Sequence, residues 1–249
     1  MALVLMYHNI VAGEAERSAF HPAHRPYVLT EGEFAAQIEI ALARGWRFAG
    51  VDELCGAGPR DGRALVATFD DSWENGCAVR AMGQRGIKGV FFLNSGEIGM
   101  PGRVTAAEVA SMAAEGHEIG SHGVGHEFLT RLDDARLGRD LSESRRTLAA
   151  MSGKPVRFLS APGGRYDSRV ARAARGAGYE AFFVSLPGFA GRIGGDFIVK
   201  RISIAARVDA DAFGRMLDAP LPFVLRRKVK YRLSRLSARF SHERGDEGH

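Results

Sequence analysis

Seven apolar, β-rich runs recur along the chain, and this regular recurrence constrains the fold more than any other feature. They are Leu3–Tyr7, Ala64–Phe69, Gly89–Leu93, His117–Ser121, Val156–Ser160, Ala181–Ser185 and Phe197–Ile202. Helical periodicity fills most of the gaps. Two of these stretches open on a capping box, in which a Thr caps the helix start and a Glu three residues on reaches back. These are Thr30 with Glu33 ahead of Phe34–Leu42, and Thr105 with Glu108 ahead of Val109–Ala113. Strands that are apolar throughout, alternating with helices, describe a parallel sheet covered by helices. There is no clear dinucleotide fingerprint, and seven strands suit a closed or distorted barrel better than a doubly wound sheet. The expected fold is therefore α/β: a single distorted (β/α)7 barrel over residues 1–218, followed by a tail at 219–249.

The 249 residues are enough for one α/β barrel. No run of about 20 apolar residues occurs. The start, Met1-Ala2-Leu3-Val4-Leu5-Met6-Tyr7-His8, has no basic region, a very short apolar run and no small-residue cleavage site, so it reads as a buried strand. Cys55 and Cys77 lack zinc spacing and read as free thiols. Together these features lead to the expectation of a cytoplasmic protein. The net charge of +5 lies in the tail. From residue 221 on there are eight Lys/Arg and three Asp/Glu, which leaves 26 of each sign in residues 1–220. A neutral body needs no nucleic-acid partner to explain its pI.

Chemistry concentrates in two segments. Ala67-Thr68-Phe69-Asp70-Asp71-Ser72-Trp73 ends an apolar strand on two adjacent carboxylates. Their mutual repulsion costs stability unless a cation or shared proton offsets it; the alternative is a solvated turn. Gly116-His117-Glu118-Ile119-Gly120-Ser121-His122-Gly123-Val124-Gly125-His126 carries histidines at i and i+4, which converge on one ion if the segment turns helically. His117, at the start of its strand, reads as a packing or hydrogen-bonding residue. One carboxylate and two histidines make three protein ligands with a position left for water, the pattern of a catalytic metal. The neighbouring carboxylate is then free to act as base.

Thr68-Phe69-Asp70-Asp71 and His122-x-x-x-His126 resemble the first two motifs of the polysaccharide deacetylases, the NodB-homology family or carbohydrate esterase family 4. The resemblance covers roughly residues 1–205. It implies that Asp70 is the catalytic base and that Asp71, His122 and His126 hold one divalent transition metal, zinc first, with cobalt or nickel as alternatives. The family's third motif, Arg-x-Pro-aromatic-Gly, is matched imperfectly by Ser160-Ala161-Pro162-Gly163-Gly164. Ser160 replaces the Arg that would pair with the catalytic Asp, leaving Arg165 or Arg201 to do so, and Arg201 is favoured because it lies near the end of the last apolar run. Gly163 replaces the aromatic, which is expected to widen the groove and free a backbone N–H for an oxyanion. The closing Leu-x-x-His motif is absent near the C-terminus but stands at the other end, as Leu5-Met6-Tyr7-His8. This resembles permuted exopolysaccharide deacetylases and implies that His8 is the general acid; otherwise His8 only caps a buried strand. Trp73, Pro162, Gly163 and Arg201 complete the expected substrate-binding set, with a core role as the alternative for Trp73.

In the tail, Leu225, Val229, Leu233, Leu236 and Phe240 make a helical stripe among seven cations, Arg226 to Arg239, with no acid between Asp218 and Glu243. Pro220 and Pro222 precede it as a break from the barrel. Such a stretch fits an anionic membrane surface, with a packed helix, a nucleic-acid arm or a disordered tail as alternatives. The function expected is removal of N-acetyl groups from an amino sugar of a polysaccharide or of a lipid-linked glycan precursor at the inner membrane face. The competing expectations are deformylation or another amide hydrolysis on a lipid-linked amino sugar, and a catalytically silent carbohydrate-binding barrel.

Overall fold

The computed structural model describes residues 2–55, 62–191, 193 and 197–243, the last ten of these by their backbone only. Eight parallel strands form one sheet: β1 (Ala2–Tyr7), β2 (Ala64–Phe69), β3 (Val90–Leu93), β4 (Glu118–Ser121), β5 (Phe158–Ser160), β6 (Ala181–Val184), β7 (Ile198–Lys200) and β8 (Ile202–Ser203). They follow the order β7-β6-β5-β4-β3-β2-β1-β8. The two end strands are neighbours in sequence, parted by Arg201 alone. β7 pairs with β6 and β8 pairs with β1, so one broken strand closes the ring. The seven apolar runs are the seven staves of the barrel. Three short strands were not legible as runs: Asn9–Val11, which pairs with Val28–Thr30, and Arg47–Phe48, which pairs with β2.

Helices cover the ring: α1 (Glu31–Ala43), α2 (Gly76–Gly83), α3 (Ala106–Ala114), α4 (Asp134–Ser152), α5 (Ser168–Gly176), α6 (Ala210–Asp218) and α7 (Pro220–Glu243). Both capping boxes form, since Thr30 and Thr105 accept from Glu33 N and Glu108 N while each Glu accepts from the cap backbone. No described helix is long and apolar enough to cross a membrane.

Strand parity decides what each residue faces. Leu3, Leu5 and Tyr7, with Leu65, Ala67 and Phe69, join the helices' Phe34, Ile38 and Val109 in the outer core. The alternate residues Ala2, Val4, Ala64, Val66, Val90, Phe92, Phe158, Phe183 and Val199 fill the barrel. Gly120 belongs to this inner layer, where a Cβ would come within 2.4 Å of the Phe92 ring. The N-terminal end of the barrel is stoppered by Ala49, Val51 and Leu54 together with Ala190 and Ile193. At the other end, the same parity carried two or four residues further brings His8, Asp70, His122, Ser160 and Arg201 to the inward layer. Parallel barrels hold their functional groups at that C-terminal end.

Candidate metal centre and catalytic cleft

A cleft of about 480 Å³ opens at the C-terminal ends of the strands, and His8, Asp70, Asp71, His122, His126 and Gly163 all line it. Asp71 Oδ1 lies 3.5 Å from His122 Nε2 and 3.2 Å from His126 Nε2. One ligand atom from each residue falls within 4.8 Å of the others, a grouping that suits a shared metal ion. The intervening segment is not helical, contrary to the expectation for an i, i+4 pair. Gly123 (φ 79°) and His126 (φ 58°) fold it back through left-handed conformations instead. Asp71 is left-handed as well (φ 68°), and it and His126 are the non-glycine residues in that region among those described. Such backbone costs on the order of 1–3 kcal/mol per residue and persists where the surroundings enforce it, as at binding sites.

The surroundings here are specific. Asn94 Nδ2 donates to His122 O at 2.7 Å, and Ser144 Oγ donates to Gly123 O at 3.0 Å. Val124 N donates to Asp140 Oδ2 at 3.1 Å. His122 Nδ1 lies 3.1 Å from the backbone Ser160 O, an acceptor that holds the proton on Nδ1 and turns the Nε2 lone pair toward Asp71. Burial lowers the His122 pKa to about 4, so the ring is neutral, the form that binds metal. Burial by itself would raise the Asp71 carboxyl, but the His126 hydrogen bond and the nearby histidines outweigh it and hold its pKa well below the usual range. The donor set therefore fits a divalent transition ion.

Asp70 is held apart from this group by a different partner. Arg201, fully buried, donates Nη1 to Asp70 Oδ1 at 2.6 Å and Nη2 to Asp70 Oδ2 at 2.8 Å. Ser160 Oγ accepts from Arg201 Nη2 at 2.7 Å and donates to Asp70 Oδ2 at 3.1 Å. The small Ser160 side chain leaves room for a guanidinium arriving from the stave between β6 and β1. Burial pushes the Asp70 pKa up, yet the Arg201 charge and hydrogen bonds prevail and the net shift is downward. Arg201, expected among the substrate-binding residues, is instead a buried partner of Asp70 and does not line the cleft. Arg165 is exposed, its guanidinium 4.3 Å from the Phe128 ring centroid.

His8 enters the cleft from the end of β1, its ring tilted against that of Tyr27 with centroids 4.9 Å apart. Asn75 Nδ2 donates to its carbonyl at 3.0 Å, fixing the strand end, and Nδ1 has no protein partner. Burial lowers its pKa, opposed by Asp71 and Asp70. His117 behaves as a structural residue, with Gly89 N donating to its Nδ1 at 3.1 Å at the foot of β4. Pro162 is buried beneath the cleft wall, while Gly163 faces the cleft. The expected widening at Gly163 is offset by Phe128, whose ring stands 2.5 Å from where a Cβ would be. An aromatic side chain from another loop thus occupies the space beside the motif. Trp73 does not line the cleft; Arg103 lies 3.6 Å from its ring centroid and Phe20 packs edge-on at 5.1 Å. Sequence reasoning missed Tyr27, Arg227, Lys230 and Tyr231, which also line the cleft. No local signal placed them, because their position follows from how the 20s loop and α7 dock.

Residues 57–182 match the family model described as polysaccharide deacetylase. The chain belongs to this family. Among its relatives is YxkH of Bacillus subtilis, provisionally named a polysaccharide deacetylase, which is 24% identical over 87% of this chain and 76% of its own length. Among solved structures, the family fold is shared with the Streptococcus pyogenes deacetylase PplD in complex with acetate (TM-score 0.76, 19% identity, 87% of this chain and 97% of that one). It is shared also with IcaB from Ammonifex degensii (TM-score 0.74, 21% identity, 87% and 96%).

Proposed function

We propose that this family member is a metal-dependent amidohydrolase that removes N-acetyl groups from an amino sugar of a polysaccharide or glycan precursor. The observation that carries the reading is the separation of roles among the acids. Asp71 converges with His122 and His126, while Asp70 is locked by Arg201 and Ser160 in the same cleft. A binding-only barrel has no need to keep a buried carboxylate charged beside an Asp–His–His group.

Asp71, His122 and His126 would hold the ion, zinc by the donor chemistry. Bound there, it would supply Lewis acidity toward the acetyl carbonyl and toward water. Asp70, kept ionised by Arg201, accepts the proton of the attacking water. The backbone N–H of Gly163, a residue of the cleft wall, would donate to the developing oxyanion. His8, across the cleft, would act as the imidazolium, the form that Asp71 and Asp70 favour against burial, and deliver its proton to the departing amine, without which the tetrahedral adduct returns to amide.

Elemental analysis and acetate release from N-acetylated glycans test this directly. His122→Ala should lose both metal and activity, since it removes one of three ligands; full metal occupancy in that variant would sink the assignment. Asp70→Asn and His8→Ala should each keep the metal and lose about 10²-fold or more in turnover. Near-wild-type turnover in His8→Ala would remove His8 from the acid role.

The working location that fits the basic C-terminal helix is the cytoplasmic face of a membrane, with a lipid-linked glycan precursor as substrate. This part of the proposal draws on the charge and apolar pattern of α7 and on the +5 carried by residues 221–249.

A further inference from the structure

One wall of the cleft is cationic and belongs to no part of the chemistry above. Arg227 and Lys230, one turn apart on α7, line the same cleft as the Asp–His–His group, with Tyr231 beside them. Arg227 is half-buried, its guanidinium lying over the Phe223 ring at 5.2 Å. Burial and the neighbouring Arg207 both disfavour its charge. Among the described residues no carboxylate forms an ion pair with Arg227 or Lys230, and α7 offers none within reach, since no acid stands between Asp218 and Glu243. Elsewhere in the molecule most partly buried guanidinium groups have acidic partners: Arg17 pairs with Glu33, Arg157 with Glu118 and Arg201 with Asp70.

A half-buried guanidinium beside a second cation is costly unless an anion completes it, and guanidinium geometry suits oxyanions. The negative groups on the cleft floor do not serve, because Asp70 is taken by Arg201 and Asp71 by the histidines. We propose that Arg227 and Lys230, with Arg207 adding to the local potential, form a subsite for a phosphate group carried by the sugar whose acetamide reaches the metal site. Phosphate is favoured over carboxylate because three cations answer its two charges better than one. The inference rests on the deacetylase reading for the identity of the sugar, whereas the oxyanion site itself does not.

The test separates the two. Glucosamine and glucosamine 1-phosphate differ only in the phosphate and cannot be deacetylated, so their binding to the metal-loaded protein is read by calorimetry without turnover. The phosphorylated sugar should bind at least about tenfold tighter, the scale of one or two charge-assisted hydrogen bonds. The preference should vanish in Arg227→Gln/Lys230→Gln and largely persist in Arg227→Lys. Lys230→Gln alone, at an exposed position, should weaken it with folding intact. Equal affinity for the two sugars overturns the subsite. A preference that survives in the double variant also overturns it, since the phosphate would then be binding at the metal. Muramic acid, bearing a carboxylate and likewise no acetyl group, should show no comparable gain over glucosamine; an equal gain would overturn the phosphate assignment. Acetate release from a neutral acetylated oligosaccharide by the wild-type protein reports on the deacetylase reading independently of all these outcomes.

Discussion

Arg201 shows how a residue remote from a motif can restore what the motif lacks. Its guanidinium meets Asp70 with two near-parallel hydrogen bonds, the geometry that makes arginine–carboxylate pairs strong. Arg201→Met should therefore do more than weaken the fold. It leaves Asp70 buried without its cation, and breaking a buried pair typically costs about 3–5 kcal/mol. The sign for catalysis follows from the same charge: without Arg201, burial dominates and the Asp70 pKa rises. A general base works above its pKa, so the acid limb of the pH–rate profile should move to higher pH, with turnover partly recovered on the alkaline side. A profile that falls uniformly without moving would mean that Arg201 supports only the structure. Ser160 belongs to this reading too, since it is the small residue that makes space for the guanidinium and bonds to both partners.

At the scale of elements, α7 has two unlike faces. Val224 is buried and Phe223 packs on the outer core, so the helix docks on the barrel from Pro220 onward and the two prolines do not set it apart. Proline suits the first turn of a helix, where its missing N–H has no partner to lose. Leu221, Leu225, Val229 and Leu233, four residues apart, stay more than half exposed on another face. Leu236 and Phe240, which continue the pattern in sequence, lie outside the residues whose side chains are described. For an interfacial helix the outward stripe is the contact, with flanking cations adding about 1 kcal/mol each near an anionic surface. Leu225→Glu/Val229→Glu should release the protein from vesicles containing anionic lipid while leaving turnover of a soluble acetylated sugar unchanged, because neither side chain lines the cleft. Vesicle binding by the wild-type protein should also weaken as salt is raised. No binding to such vesicles at low salt would end the membrane proposal.

For the whole molecule, the outer aromatic core ties the strand that ends at Asp70 to the helices. Phe69 stacks on Phe91 at 4.7 Å and on Tyr7 at 5.6 Å and meets Phe34 edge-on at 5.7 Å, immediately before Asp70 in sequence. Phe69→Ala opens a cavity between sheet and helices and should cost about 3–5 kcal/mol in urea unfolding. A loss below about 1 kcal/mol would mean that the layer collapses to fill the space.

Much of this molecule was legible in order along the chain. The seven staves, both capping boxes and the inward parity of His8 and Asp70 all follow from periodicities of two and 3.6 residues, which act over a few residues and so are written locally. The Asp70-Asp71 pair and His122 with His126 were visible for the same reason, although the bend that joins the histidines was not, because Gly123 and His126 adopt it under tertiary bonds from Asn94, Ser144 and Asp140. That the ring closes through a broken strand was decided by tertiary structure alone. Only when the broken strand at 198–203 pairs with both β6 and β1 does Arg201 come within 2.6 Å of Asp70. Likewise, only the docking of α7 brings Arg227 and Lys230 to the cleft. Contacts between residues more than a hundred positions apart depend on how packed layers settle against one another, and no local pattern in the chain encodes that distance.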